Sequence, residues 1–224
     1  MNIVIFLYLL VIAPKILLER LRGKRHPAFR ERLGFSLPKV KGPVIWIHAI
    51  SVGEVKAASP LLKELKKEHP ETQFLATTTT KTGQKEAKRT LKEADFLLYA
   101  PLDLSFVVQR WVERFNPEQF ILVESDFWPS LLKALKKNKT QISLVSGKIS
   151  EKSFKRFQKF PSFSKKLFSH FDQICVQNEL YQSRFAKLSY DFERVHVTGN
   201  LKLDQLPQQT ETPLTLPARS IIFS

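Results

Sequence analysis

Cysteine is almost missing from this chain: one residue, Cys175, in 224. A single thiol excludes an internal disulfide framework and any zinc site built on cysteines, and it fits a reducing compartment. Cys175 stands in the apolar run Gln173-Ile174-Cys175-Val176, where a buried structural thiol is expected. Glycine is also sparse, 7 residues, and none forms a Gly-x-Gly-x-x-Gly or a Gly-x-x-x-x-Gly-Lys loop, so dinucleotide binding and a P-loop have no support. Acidic residues are outnumbered, 21 Asp+Glu against 36 Lys+Arg, for a net charge of +15. That balance favours anionic partners such as nucleic acid, anionic lipid or phosphorylated substrates, without choosing among them. No helix-turn-helix, zinc-finger or RNP pattern accompanies the charge, so nucleic acid is not expected as a partner. No secretory signal is present either: the charges follow the apolar stretch instead of preceding it, and no small-residue cleavage site appears.

What is present begins with MNIVIFLYLLVIAPKILLERLRGKRHPAFRERLG. Residues 3–13 are apolar without a break, Pro14-Lys15 interrupts, and Ile16-Leu17-Leu18 resumes. A membrane span needs about 20 apolar residues, which this stretch reaches only if Lys15 snorkels. Arg20, Arg22, Lys24, Arg25, Arg30 and Arg32 follow, and positive charge on that side holds it cytoplasmic and near anionic lipid. Residues 1–33 are therefore expected to be an uncleaved membrane-anchor helix plus a basic juxtamembrane segment; a buried core helix with a basic end is the alternative. With 43% apolar residues and 18 Phe, the remainder can bury a real core.

From residue 44 onward short Ile-, Val- and Phe-rich runs alternate with helical patterns. Strands are predicted at 44–50, 73–79, 96–99, 120–124, 141–146, 173–177 and 194–198. Helices are predicted at 55–68, 83–93, 104–114, 127–137, 151–168 and 179–187. Strands apolar on both faces that alternate with helices imply a parallel sheet covered on both sides, a Rossmann-like α/β domain over 43–206. Residues 207–224 read as a Pro/Thr/Gln linker followed by the start of a further strand.

In such sheets ligands collect outside the carboxyl ends of the strands. Ser51-Val52-Gly53-Glu54 there fits a capping box. Yet Gly53 within the first helical turn costs about 1 kcal/mol relative to alanine, which makes sense if a ligand approaches the backbone closely. A carboxylate at a helix N-terminus is expected to stay ionised and is able to act as a general base, so Glu54 has two readings. Thr77-Thr78-Thr79-Thr80-Lys81-Thr82-Gly83 is either an anion cradle, through Thr79, Thr80, Thr82 and Gly83, or a capped strand-to-helix turn. Glu124 follows four apolar residues and needs a partner if buried, while Ser125 and Asp126 are candidate caps. Lys202 either faces the same cleft or is a solvated loop lysine.

His48-Ala49-Ile50-Ser51-Val52-Gly53-Glu54, Thr77 to Gly83, Glu124-Ser125-Asp126-Phe127-Trp128-Pro129 and Gly199-Asn200-Leu201-Lys202-Leu203-Asp204, with the apolar start and Arg-Glu-Arg-Leu-Gly, together resemble the 3-deoxy-D-manno-octulosonic acid (Kdo) transferases. The resemblance covers essentially the whole chain. It implies the N-terminal, acceptor-binding domain of a GT-B glycosyltransferase. That enzyme would move Kdo from CMP-Kdo to the lipid A precursor at the cytoplasmic face of the bacterial inner membrane, in lipopolysaccharide biosynthesis. Inversion of configuration, no cofactor and no bound metal are implied as well. By the same resemblance Glu54 is the catalytic base, and Glu124 and Lys202 stabilise the transition state. Ser51, Gly53 and the threonine stretch are implied substrate contacts. Where the family has Asn-(Ala/Gly)-Arg-(Leu/Ile)-Ser, this chain has Ser146-Gly147-Lys148-Ile149-Ser150. Lys148, a further candidate substrate contact, keeps the charge but loses the bidentate fork of arginine. The CMP-binding half is expected to begin where this chain ends, so a half inactive alone is expected. A non-catalytic glycolipid-binding module and a GT-B transferase of another sugar are the competing readings.

Overall fold

The computed structural model describes residues 28–189 and 191–202. Expectations for the anchor segment before Ala28 and for residues 203–224 lie outside the described residues. Among those described, no helix is long and apolar enough to cross a membrane.

The elements alternate: α1 (Phe29–Arg32), β1 (Val44–His48), α2 (Val52–Glu68), β2 (Gln73–Thr78), α3 (Lys81–Thr90), β3 (Phe96–Tyr99), α4 (Ser105–Phe115), β4 (Gln119–Val123), α5 (Pro129–Lys137), β5 (Gln141–Gly147), α6 (Glu151–Gln158), α7 (Pro161–Phe168), β6 (Gln173–Val176), α8 (Glu179–Ser189) and β7 (Val195–Val197). All seven strands pair in parallel, in the order β3-β2-β1-β4-β5-β6-β7. Strand side chains alternate between faces with period 2, and both faces are covered. Trp46, Leu75, Phe120, Leu122 and Leu144 pack with α4, α5, α7 and α8 on one side. Ile45, Ile47, Phe74, Ala76, Ile121 and Val123 pack with α2 and α3 on the other. Trp46 stacks on Trp111 at 5.7 Å between centroids, and Phe127 packs edge-on against Phe168 at 5.0 Å.

Three local features depart from the sequence reading. The helix expected over 151–168 is two helices. Pro161 has no N–H to donate and drives the preceding residue out of helical space, and Phe160 sits at φ −128°, ψ 68°. The buried Ser164 hydroxyl donates to the carbonyls of Phe157 (2.6 Å) and Phe160 (3.0 Å), tying the two helices together across the break. Helix α2 starts at Val52, three residues earlier than expected, because Ser51 caps it. The segment ahead of β1 is held on the domain: Glu31 accepts from the Tyr99 amide (2.7 Å), Arg32 donates to the Ala100 carbonyl (2.9 Å), and Leu33, Leu37 and Val40 pack on the core.

Strand order reverses at β1. The chain leaves β1 for β2 on one side and later returns to β4 on the other. The crevice at such a switch point lies between the carboxyl ends of the two strands, here between the segments after His48 and Val123.

Candidate functional site

After β1 the chain turns at Ile50 and Ser51 and enters α2. Ser51 is extended (φ −109°, ψ 166°) and its hydroxyl accepts from the Glu54 amide. The Glu54 carboxylate turns back. One oxygen accepts from the Ile50 amide (2.7 Å), the other from the Ser51 hydroxyl (3.2 Å). Glu54 reaches one residue further back than the usual box, in which it would bind the cap residue's own amide. Its side chain is buried at 7% exposure. Burial pushes the Glu54 carboxyl above the ordinary carboxylate range; the Ile50 amide opposes this, and the charge of Glu124 adds to it. The ionised state expected from the helix N-terminus is thus countered by desolvation, and the result is a more basic carboxylate.

Glu124 follows β4 with φ at +69°, left-handed backbone that a residue with a Cβ adopts at a cost. Two backbone bonds impose it. The Glu124 amide donates to the Val145 carbonyl (3.0 Å), and its carbonyl accepts from the Lys148 amide (3.1 Å). The carboxylate is 2% exposed and lies between two ammonium groups. Lys148 pairs with one oxygen, and Lys202 lies 2.5 Å from the other, a charge contact without the alignment of a hydrogen bond. Each lysine side chain is 38% exposed, so both cations keep an outward side that an anion is able to reach. One buried carboxylate shared by two half-exposed ammoniums leaves this cluster with a net positive charge. The partner that the sequence required for a buried Glu124 is therefore this lysine pair.

Lys202 arches over the start of α2: a Cβ on Gly53 would stand 3.4 Å from its ammonium nitrogen, with no clash. Its backbone amide donates to the Asn200 side chain (3.1 Å), which accepts from Ser146 (3.4 Å). Gln177 donates to the Ser146 carbonyl (3.0 Å) and hydroxyl (3.2 Å). Ser146 and Gln177 support this lysine from β5 and the end of β6, and nothing in their local sequence announces it.

The threonine stretch braces the other side. Thr80 caps α3 by accepting from the Gly83 amide (2.9 Å) and donates to the Ile50 carbonyl (3.2 Å). Gly83 is buried; a Cβ there would come within 2.6 Å of that carbonyl. Gly83 and Thr80 therefore hold the corner that presents Glu54, and the surface of the stretch belongs to Thr79, Thr80 and Thr82. Behind it, the Thr77 hydroxyl accepts from the Trp46 indole (2.8 Å) and shares a hydrogen bond with His48 Nδ1 (2.8 Å). The buried His48 ring packs edge-on against Trp128 (5.1 Å). Burial pushes the imidazole down to about 4, so it is neutral at pH 7. Trp128 donates to Asp126 (2.6 Å), while Asp103 caps α5 by accepting from the amides of Ser130 (3.2 Å) and Leu131 (2.8 Å).

Glu54, Gly53, Glu124, Lys148 and Lys202 thus come together at one switch-point crevice, which holds a carboxylate of raised pKa and two cations. Among the described residues no group of three or more His, Cys, Asp or Glu is placed to hold a metal ion.

Known proteins resemble this chain in sequence and in fold. Residues 27–205 match a family model described as 3-deoxy-D-manno-octulosonic-acid transferase (kdotransferase). A relative of that name from Chlamydia trachomatis serovar D is 35% identical over 196 residues, 86% of this chain and 46% of its own length. One from Haemophilus influenzae is 34% identical over 205 residues, covering 88% and 48%. The chain spans about half the length of the curated relatives it matches. A solved UDP-GlcNAc 2-epimerase from Neisseria meningitidis, bound to UDP-GlcNAc, superposes with a TM-score of 0.52 at 14% identity, over 73% of this chain and 48% of that one. Another UDP-N-acetylglucosamine 2-epimerase gives 0.54 at 16% identity, over 73% and 50%. These two share the fold, the α/β layer structure of a GT-B N-terminal domain.

Proposed function

Because this chain belongs to the 3-deoxy-D-manno-octulosonic acid transferase family, we propose that it is the acceptor-binding half of an inverting enzyme that moves Kdo from CMP-Kdo onto the lipid A precursor. The observation that carries the reading is the buried, hydrogen-bonded Glu54 carboxylate facing the Lys148–Glu124–Lys202 cluster across the switch point. A sugar hydroxyl is a poor nucleophile until its proton is taken. Glu54 accepts that proton as the acceptor oxygen bonds to the anomeric carbon of Kdo and the bond from that carbon to the CMP phosphate breaks. CMP leaves with the electron pair, and attack from the opposite face inverts configuration. Lys202 and Lys148 offset the charge of the Kdo carboxylate and the departing phosphate, and Glu124 fixes where they stand. Lysine in the place of the family's arginine gives a point charge instead of a fork. Gly53 lets the acceptor approach the start of α2, and Ser51, Thr79, Thr80 and Thr82 line the way in.

The CMP part of the donor belongs to a further half. The acceptor is a phosphorylated glycolipid, which suits the net charge of +15. We place the domain at the cytoplasmic face of the inner membrane, held there by residues 1–33 and by anionic lipid.

Acceptor binding tests this reading. Trp46 and Trp111 are fully buried, and Trp128 alone of the three tryptophans is partly exposed beside the crevice. Titrating the lipid A precursor in detergent is expected to change tryptophan fluorescence saturably, and Trp128→Phe to remove the change. Gly53→Ala is expected to raise stability, by up to about 1 kcal/mol from helix propensity, while weakening this binding. No saturable change, or an equal one with an uncharged glycolipid, would contradict the reading.

A further inference from the structure

The corner between α6 and α7 exposes what a folded surface ordinarily hides. Phe160 is 63% exposed and Phe163 49% exposed, two neighbouring rings at the break before and after Pro161. The corner is not loose. Ser164 ties it to the end of α6, and Leu167 and Phe168 anchor α7 in the core beneath it. The charge around the rings has one sign. Lys152, Lys155, Arg156, Lys159, Lys165 and Lys166 are all exposed, against the single acid Glu151. An apolar tip rimmed by cations matches the interface of an anionic bilayer, where rings enter the headgroup layer and lysines meet lipid phosphates. Leu33, just after α1, and Leu167 and Phe168 of α7 pack on the same face of the sheet.

We infer that the Phe160–Phe163 corner is a membrane-docking surface that inserts its two rings into an anionic lipid interface, separately from residues 1–33. The inference rests on the reading of the acceptor as a membrane glycolipid. Docking at this second point would fix the tilt of the domain, so that the crevice meets the headgroup of a lipid that never leaves the bilayer.

The test is a polarity-sensitive fluorophore on the whole 224-residue chain, with Cys175→Ser to remove the native thiol. One sample carries the probe at Phe163→Cys, another at Lys63→Cys, an exposed position on α2 across the sheet. Vesicles of phosphatidylglycerol and phosphatidylcholine are added, and binding is read separately by sedimentation. The expected result is a blue shift and intensity gain at position 163, none at 63, and neither with phosphatidylcholine alone. In the labelled Phe163→Cys chain, Phe160→Ser is expected to reduce the blue shift severalfold at equal sedimented protein, since residues 1–33 still hold the chain to the vesicle. Vesicle binding that leaves the 163 probe in water overturns the docking surface and leaves the membrane reading standing. No vesicle binding at all overturns both. A 163 probe already shielded without vesicles shows that protein covers the corner, and overturns it too.

Discussion

Glu54→Gln leaves the chain folded and removes roughly 10²–10⁴ of the rate of Kdo transfer, the range a positioned general base supplies. The fold survives because the amide oxygen of glutamine still accepts from the Ile50 N–H, the shorter of the two bonds the carboxylate makes at 2.7 Å. Stability is expected to hold or rise slightly, since desolvation is the largest influence on this carboxyl and glutamine carries no charge to desolvate. A structural role for Glu54 predicts the opposite pattern, lost stability with activity falling in proportion. The pH profile separates the two further. A base with a raised pKa must be ionised to work, so transfer declines as pH falls through a value above the ordinary carboxylate range. Glutamine abolishes that limb together with the rate. Transfer and thermal unfolding on the same preparations, with this chain supplemented by the C-terminal half of a relative, check both points.

Acid weakens the fold through His48. Its folded pKa of about 4 lies below the ordinary 6.5, so the folded state holds the neutral ring and the unfolded chain takes up the proton first. The stability is present in full above pH 6.5 and is lost as pH falls toward 4. The loss is about 2 kcal/mol between pH 7.5 and 5, and about 3 kcal/mol by pH 4. The buried carboxyls act in the opposite sense. Glu31, Glu54, Asp103 and Asp126 all have raised pKa values from burial, so their ionised forms weaken the fold and protonation relieves them as pH falls. Comparing two proteins removes that background. Urea unfolding at pH 7.5 and pH 5 is expected to show the native chain losing about 2 kcal/mol more than His48→Asn, whose side chain does not titrate. Equal losses would show that the ring is protonated in the fold or reaches water.

Much of this architecture could be read from the residues. The strand at Phe96–Tyr99 falls where the apolar run put it, and β1, β2 and β4 begin or end within two residues of the expected limits. Buried parallel strands announce themselves as unbroken Ile, Val and Phe runs, because both faces need apolar residues. The helix over 151–168 misled because its apolar spacing continues across Pro161 in phase, and only the three-dimensional path shows Ser164 closing the break. The raised pKa of Glu54 is hidden from the sequence for a related reason. Sequence shows the helix start, whose dipole favours the anion, but not the burial that opposes it. The demand of Glu124 for a partner could be inferred from its apolar neighbours. That the partners are Lys148 and Lys202 together follows from sheet order alone, which brings the loops after β4, β5 and β7 to one edge. Ser146 and Gln177 could not be found in advance, because their task is to hold Asn200 through tertiary hydrogen bonds.

The most direct test of the account is Kdo incorporation from CMP-Kdo into the lipid A precursor, in detergent, by this chain mixed with a separately folded C-terminal half from the Haemophilus influenzae relative. The account predicts transfer by the mixture and by neither part alone, with inverted configuration at the new linkage. No incorporation by a mixture in which both parts are folded and this chain binds the acceptor would contradict it. The crevice at Glu54 would then hold the glycolipid without performing chemistry on it.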